Sequence, residues 1–192
     1  MLLIMQLSTR REKENMTYTN TARTPFNRDQ VIEILENGGS LSGVYLTNAD
    51  LSNLDLTDVD FSESDISFCN FKGSDLSGAK ISTAYAIGSN FEGANLTCSD
   101  LSCSSFENSY MRETNFCGAD LTRSNFSGAY LGESIFVGAD LSGAGFSKAV
   151  MSNTDFRGFW YDDNTDFRGC WYDDNTEFHP GFDKELAGMR KI

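Results

Sequence analysis

The sequence predicts a single repeat domain built on a five-residue unit, and three observations lead to this prediction. From Leu41 to Phe156 a large apolar residue stands at every fifth position through 24 consecutive positions, with Ala86 as the one small member and no insertion. Helices repeat their apolar face about every 3.6 residues and strands about every 2, so neither explains a spacing of five. The residue two positions before each of these centres is mostly Ala or Ser, which gives a second register. A chain of 192 residues accommodates one such array with its ends.

The repeat units resemble those of a known family. The segments GADLT (118–122), GANLT (93–97) and GADLS (138–142) match the motif A(D/N)LxX of the pentapeptide-repeat family. The resemblance covers about residues 40–158 and implies an all-β fold, a right-handed quadrilateral β-helix in which each five-residue unit forms one side of a square coil. The 24 units then make about six coils, and stacking at strand spacing predicts a rod roughly 29 Å long.

The side-chain sizes agree with a narrow square tube. The large centre and the small residue two positions before it both point inward, because a thin interior holds one large side chain per side only if its neighbour is small. The residue just before the centre is Asp or Asn in 14 of the 24 units. These two residue types tolerate unusual backbone angles and accept hydrogen bonds from their own main chain, so we expect them to serve the corners.

The segment before the array predicts a capping helix within residues 26–39, preceded by a flexible segment at residues 1–25. Asn27 is the expected N-cap, Gln30 completes a capping box, and Gly38 and Gly39 end the helix. The apolar residues Val31, Ile34 and Leu35 would face the first coil. The alternative is a helix that is reserved for a partner.

Beyond Gly158 the repeat length changes from 5 to 11 residues. NTDFRGFWYDD (153–163) is followed by NTDFRGCWYDD (164–174), and the square register is therefore expected to end near Gly158. The closing stretch resembles the terminal element that packs over the last coil in many family members, so residues 159–192 are predicted to be a C-terminal cap with an 11-residue duplication. An alternative is that Trp160, Tyr161, Trp171 and Tyr172 form one aromatic surface for dimerisation or for a partner.

Charge is unevenly distributed around the predicted coil. The net charge is −13, most of it within residues 40–158, and this disfavours direct binding to nucleic acid. Because four units make one coil, residues 20 apart stack, and the candidate acidic face is Asp60, Asp100, Asp120 and Asp140, interrupted by Lys80. These carboxylates either serve turn geometry or, as the resemblance implies for some family members, mimic DNA toward a type II topoisomerase such as DNA gyrase.

Catalytic and metal-binding patterns are not found in the sequence. The one histidine, His179, has no Ser or Asp partner at a fixed spacing, and the five cysteines do not follow a zinc pattern. Cys98 and Cys117 fall on the same side of neighbouring coils and would come close to one another, although free thiols are expected in a reducing cell. We therefore predict no cofactor, no metal and no enzymatic activity.

These observations predict a protein-binding or scaffold module of the pentapeptide-repeat type, with a DNA-mimicking modulator of a topoisomerase as the alternative. The partner is expected to be a protein, and a homodimer through an end of the rod is a further arrangement. The first residues lack the basic start of a secretory signal, and no apolar run approaches the roughly 20 residues of a membrane span, so a cytoplasmic protein is predicted.

Overall fold

The computed structural model describes residues 25–192, which form a four-sided coil preceded by one helix. The expected flexible segment 1–25 lies, except for Pro25, outside the described residues. Helix α1 runs over Arg28–Glu36, and its capping box joins the Asn27 side chain to the Gln30 backbone and the Gln30 side chain to the Asn27 backbone. Val31 and Ile34 are buried in the core that continues into the first coil, and Leu35 is partly buried against it. The helix therefore covers the first coil.

Parallel β-bridges stack each coil on the next. The residue before each centre pairs with the residue 20 positions later, from Tyr45 with Asp65 to Ile135 with Asp155. Between the bridges the centre's amide bonds the coil above, as in Leu101 N–H to Asp120 O at 2.8 Å. These coil-to-coil hydrogen bonds satisfy the backbone without long strands. Two-residue strands occur only late in the described chain: β1 (Asp155–Phe156), β2 (Trp171–Tyr172), β3 (Glu177–Phe178) and β4 (Arg190–Lys191).

The bridge partners form four columns, one on each side of the rod. What we call the acidic side comprises Asp60, Lys80, Asp100, Asp120, Asp140 and Trp160. In chain order the next is the Asp65 side, with Tyr45, Asp65, Tyr85, Ser105, Asn125, Gly145 and Asp166. It is followed by the tyrosine side, with Asp50, Asn70, Asn90, Tyr110, Tyr130, Val150 and Trp171. The last is the Asp55 side, with Asp55, Asp75, Asn95, Asn115, Ile135, Asp155 and Glu177. The acidic and tyrosine sides are therefore opposite each other.

The interior is a stack of large centres separated by a layer of small side chains. All 24 centres from Leu41 to Phe156 have no exposed surface. Phenylalanines in successive coils stack face to face, with ring centroids 4.6 Å apart for Phe116 and Phe136 and 4.7 Å apart for Phe136 and Phe156. The buried serines of the small layer are bonded to backbone carbonyls, as Ser74 is to Phe71 O at 2.6 Å. The core is thus apolar at the centres and fully hydrogen-bonded at these serines.

The corners are made by a residue other than the one the sequence suggested. All 24 residues two positions after a centre, from Gly43 to Gly158, have a positive φ, and 14 of them are not glycine. A turn closes behind each one, as when Ala49 N–H bonds Leu46 O at 2.8 Å. The Asp or Asn before the centre instead lies in the bridge and accepts the N–H two residues on, as Asp50 does from Ser52 at 3.1 Å. The expected bond to its own main chain is present, but the unusual backbone angle belongs to the corner residue.

Stacking continues past Gly158, where only the strict five-residue spacing ends. Trp160 bridges to Asp140, Asp166 to Gly145 and Trp171 to Val150, so the 11-residue unit supplies one side of five residues and one of six. β1 pairs with β3 to complete this further coil, which makes about seven coils instead of about six. In each six-residue corner an aspartate side chain replaces a backbone acceptor: Asp162 Oδ1 accepts Gly143 N–H at 2.8 Å, and Asp173 Oδ1 accepts Asn153 N–H at 2.8 Å.

Aromatic side chains close the C-terminal end of the rod. Phe182 lies over the last coil, with its ring centroid 5.0 Å from that of Phe178 and 5.4 Å from that of Phe167. Phe159 occupies a position that holds a small residue in the other coils and is 4% exposed. There is room for it because no further complete coil lies above. β4 pairs with β2 and brings the chain end back against the rod.

Candidate binding surfaces

The acidic side has a row of outward carboxylates that also hold their own turns. Asp100 Oδ1 accepts Ser102 N–H at 3.0 Å and Ser102 Oγ–H at 2.6 Å, and Asp140 does the same with Ser142. Asp60 and Asp120 each accept a backbone N–H at 2.9 Å. Among residues 25–192, none of these four carboxylates takes part in an ion pair. The row therefore combines a turn role with charge that no neighbouring cation neutralises.

Carboxylates on neighbouring sides show the electrostatic effect of the same turn. Asp75, on the Asp55 side, accepts the Ser77 N–H at 3.0 Å, the Ser77 hydroxyl at 2.7 Å and the Asn95 amide at 3.0 Å. These hydrogen bonds, the Ser77 backbone bond first among them, hold the pKa of Asp75 below its ordinary value. The column thus stays ionised at neutral pH because donors from its own turn stabilise the charged form.

The tyrosine side carries an exposed aromatic strip. The rings of Tyr110 and Tyr130 stack with centroids 5.3 Å apart and planes 6° apart, and the two residues are 53% and 49% exposed. Val150 and Trp171 continue the column toward the C-terminal end. The guanidinium of Arg190 lies over the Trp171 ring, 5.5 Å from its centroid. We call Tyr110, Tyr130, Val150 and Trp171 the aromatic strip.

A groove of about 700 Å³ runs beside the aromatic strip. Its walls include Tyr130 and the ion pair of Arg112 with Glu133, and Asp173 lies at its far end. Gly132 explains its depth, because every other residue directly after a centre in the 24 units has a side chain that would fill this space. The strip and the groove together make an amphipathic surface with a charged edge.

The four aromatic residues predicted to form one tail surface are separated by the structure. Trp160 belongs to the acidic side and Trp171 to the tyrosine side, because an 11-residue unit spans two sides and turns its copy to the opposite side. Tyr161 and Tyr172 occupy centre positions and contact the end cluster, with Tyr161 5.0 Å from Phe159 and Tyr172 5.9 Å from Phe178 between ring centroids. A single surface of Trp160, Tyr161, Trp171 and Tyr172 is therefore not formed.

Comparison with known proteins identifies the repeats. The family profile described as pentapeptide repeats matches residues 40–78, 74–112, 99–136 and 124–159, with eight copies. These matches cover more than half of the chain. This chain belongs to the pentapeptide-repeat family. The family predicted from its motifs is thereby confirmed, and with it the β-helix class of the fold.

Solved structures similar to this pentapeptide-repeat protein come from different sources. A pentapeptide repeat protein from the thylakoid lumen of Arabidopsis thaliana is 32% identical, with a TM-score of 0.48, over 48% of this chain and 65% of that one. HetL, a regulator of heterocyst differentiation from the cyanobacterium Nostoc, is 14% identical over 85% and 92% of the two chains, with a TM-score of 0.40. A trypsin-treated variant of QnrB1, a plasmid-mediated fluoroquinolone resistance protein, is 22% identical over 79% and 84%, with a TM-score of 0.41. Among curated proteins, none matches this sequence.

The described part of this pentapeptide-repeat protein has surfaces instead of a reaction site. Within residues 25–192 no three or more His, Cys, Asp or Glu side chains are grouped so that they could hold a metal ion. His179 lies in the C-terminal turn region beside an open hollow lined by Phe159 and Trp160. The helix of this same range is too short and too polar to cross a membrane.

Sequence reasoning missed the aromatic strip as a candidate surface. Tyr110 and Tyr130 were recognised as one column, but attention went to the charge of the opposite side and to the aromatic residues of the tail. The signal was nevertheless present, because the column of residues before the centres changes from Asp50, Asn70 and Asn90 to Tyr110 and Tyr130. Residues that depart from the polar consensus on an outward position were the clue.

Proposed function

We propose that this pentapeptide-repeat protein is a non-enzymatic binding module that presents the aromatic strip and the adjoining groove to a protein partner. One observation carries the proposal: Tyr110, Tyr130 and Trp171 are aligned on one flat side, with two guanidinium groups and a groove beside them. Tyrosine, tryptophan and arginine are the residue types most enriched where proteins bind each other. The rigid ladder beneath them holds the strip flat, so binding orders few side chains.

The strip also differs from the rest of the rod. The other columns are mainly Asp, Asn, Ser and Gly, and their few exposed apolar residues are separated by polar ones. On the tyrosine side the apolar members follow one another through successive coils from Tyr110 to Trp171. A continuous apolar patch with a polar rim is typical of an interaction surface.

A pull-down from the native cell after chemical cross-linking tests the proposal. The baits are the wild-type chain, the double variant Tyr110→Ser/Tyr130→Ser and the matched control Tyr85→Ser, whose tyrosine occupies the same position on the Asp65 side and is 59% exposed. We expect the captured partner to be lost with the double variant and kept with the control. With the purified partner, the double variant should bind about tenfold or more weakly, as for the loss of a central aromatic pair.

The acidic side offers a second candidate function, a DNA-like surface for a type II topoisomerase. Its support is the row of Asp60, Asp100, Asp120 and Asp140, whose charges are not neutralised within the described residues. Lys80 interrupts the row and Trp160 ends it. Replacement of Asp100, Asp120 and Asp140 by Asn in the same pull-down separates the two candidates: partner loss with this variant and retention with the tyrosine variant favours the acidic side. Absence of any effect on gyrase supercoiling at micromolar protein rejects the topoisomerase role.

Self-association through the C-terminal end is also part of the proposal. Leu186 is 87% exposed and Ile192 61% exposed beside the aromatic cluster that closes the rod. Sedimentation velocity of the full chain and of a Leu186→Asp variant tests it. A dimer that becomes a monomer on substitution supports the end-to-end arrangement, and a wild-type monomer at high concentration rejects it.

The cytoplasm is the compartment we propose for this module, on the sequence argument of five cysteines and no recognisable export signal. Fractionation of the native cell, with an antibody against the rod, tests this placement. Recovery in a membrane-enclosed or secreted fraction would contradict it.

A further inference from the structure

Two cysteines lie at the same corner of the rod in neighbouring coils. Cys98 N–H donates to Cys117 O at 2.9 Å, so the two residues are hydrogen-bonded partners across the coil boundary. The Cys98 sulfur points along the rod axis: it is 3.5 Å from the place that a Cβ on Gly118 would occupy. Because Gly118 directly follows Cys117, this sulfur lies in the coil-to-coil space beside Cys117.

The other three thiols are in different situations. Cys69 and Cys170 are buried and donate to the carbonyls of Leu46 and Phe146, at 2.9 Å and 2.6 Å. Burial raises the pKa of each to about 12, which keeps them as unreactive thiols. Cys103 is exposed, and its hydrogen-bonded neighbour in the next coil is Thr122. Cys98 and Cys117 are therefore the pair that is both accessible and adjacent.

We propose that Cys98 and Cys117 are a redox modification site, at which glutathione disulfide converts the two thiols into a disulfide that joins neighbouring coils. Coils stacked at strand spacing, about 4.8 Å, fall within the roughly 4.4–6.8 Å between Cα atoms that disulfides span. The hydrogen bond between the two backbones fixes this separation before oxidation. The staple would form on a rigid frame and would require only side-chain rotation.

Exposure sets the order of the two exchange steps. Cys98 is exposed and Cys117 half-buried, and burial raises the pKa of the Cys117 thiol. The Cys98 thiolate attacks glutathione disulfide, forms a mixed disulfide and releases one glutathione thiolate. The Cys117 thiolate then attacks the Cys98 sulfur and releases the second glutathione. Two protein thiols are oxidised and one glutathione disulfide is reduced to two glutathione molecules, so the step is balanced and reversible.

Peptide mapping of the full-length protein tests the site. The protein is incubated with glutathione disulfide, blocked with a thiol reagent and digested with trypsin without reduction. Cleavage after Lys80, Arg112 and Arg123 separates the two cysteines into fragments 81–112 and 113–123. We expect these fragments to be joined, with the intact monomer lighter by two hydrogen atoms, and a reductant should release them.

Variants identify the sulfur in fragment 81–112, which also contains Cys103. The matched control Cys103→Ser should retain the joined fragments. Cys98→Asn should lose them, and it should fold because Asn53 and Asn108 already occupy such corners below a glycine. Circular dichroism verifies folding of both variants. The proposal is overturned if Cys98→Asn keeps the link, if glutathione stays on Cys98 without exchange, or if the disulfide joins two chains.

Discussion

At the residue scale, the corner two positions after each centre determines the backbone more strictly than any other position. Its left-handed conformation is free for glycine and disfavoured by about 1–2 kcal/mol for most other residues. Asparagine and aspartate are the tolerated exceptions, and they occur at Asn48, Asn53, Asp58, Asn108 and Asn153. The ladder nevertheless holds Phe68 in the same conformation with φ 59°. The amide of Phe68 bonds Ile87 O at 2.9 Å, so the coil above fixes its backbone.

Substitution of Gly138 separates backbone strain from crowding. Gly138 has φ 71°, and a Cβ there would meet no atom within 4 Å. Gly138→Val should therefore lower the free energy of unfolding by about 1–2 kcal/mol through strain alone, because a β-branched residue is disfavoured in this region. Gly138→Asn should cost clearly less. Denaturant unfolding of both variants measures the difference, and equal loss would show that strain is not the cause.

Two phenylalanines give a matched test of the buried stack. Phe126 has no exposed surface and stacks on Phe106 and Phe146 with centroids 5.0 Å from each, whereas Phe68 is 60% exposed at a corner. Phe126→Ala should destabilise the rod by about 3–5 kcal/mol because it leaves a cavity between two rings. Phe68→Ala should change stability by less than about 1 kcal/mol. Similar losses in equilibrium unfolding would contradict the inward stack.

At the element scale, the regular coils could be predicted and the last coil could not. A spacing that never changes over 24 units identifies the inward positions directly, since any slip would place polar residues inside. The 11-residue unit concealed the same geometry because one of its two sides has six residues. Only the hydrogen bonds show how the extra residue is used: Asp162 accepts the Asn164 N–H and the Thr165 hydroxyl, and closes a corner without a left-handed residue. Such a compensation has no periodic signature.

The six-residue corners predict different roles for adjacent aspartates. Asp173 accepts the N–H groups of Asn153 and Asn175, whereas Asp174 is 83% exposed and pairs only with Lys191. Asp173→Ala should expose the Asn153 amide and accelerate its hydrogen exchange by about tenfold or more, equivalent to about 1.4 kcal/mol. Asp174→Ala should leave that exchange unchanged. Equal exchange in the two variants would mean that the carboxylate is not the acceptor.

Acid should loosen the same corners by protonation. Hydrogen bonds from the Asn164 side chain and from the Asn153 backbone N–H are the largest causes that hold the pKa of Asp162 and of Asp173, respectively, below the ordinary 3.8. A lowered folded pKa gives stability that is complete above the ordinary value and is lost as pH falls through the folded pKa. We expect exchange at the Gly143 and Asn153 amides to accelerate below pH 3.8.

The amide of Arg123 is the internal control for the acid experiment. It bonds the backbone carbonyl of Ser142 at 2.9 Å and not a carboxylate, although its corner position in the coil is the same. Its protection should persist to lower pH than that of Gly143. Simultaneous loss of protection at both amides would indicate global acid unfolding, and the local contribution of the two aspartates would then be refuted.

At the scale of the whole molecule, the coil turns a one-dimensional pattern into four surfaces with different chemistry. The rod is acidic on one side and aromatic on the opposite side, although the residues alternate along the chain at intervals of ten. The sequence was sufficient to assign every column, because the stacking interval of 20 follows from four equal sides. It was not sufficient to show that the 11-residue copies face opposite ways, since the intermediate side of six residues had to be located first.

Distances between spin labels test the stacked coil most directly. In a chain with the exposed cysteines replaced by Ser, labels are placed on the acidic side at Ser62 and Ser142, which are four coils apart. Stacking at about 4.8 Å per coil predicts a Cα separation of about 19 Å, and labels at Ser42 and Ser142 should add about one coil more. A narrow distribution that grows linearly with each 20 residues is the expected result. Broad distributions, or a separation that does not follow the 20-residue interval, would contradict the four-sided coil and every surface assigned from it.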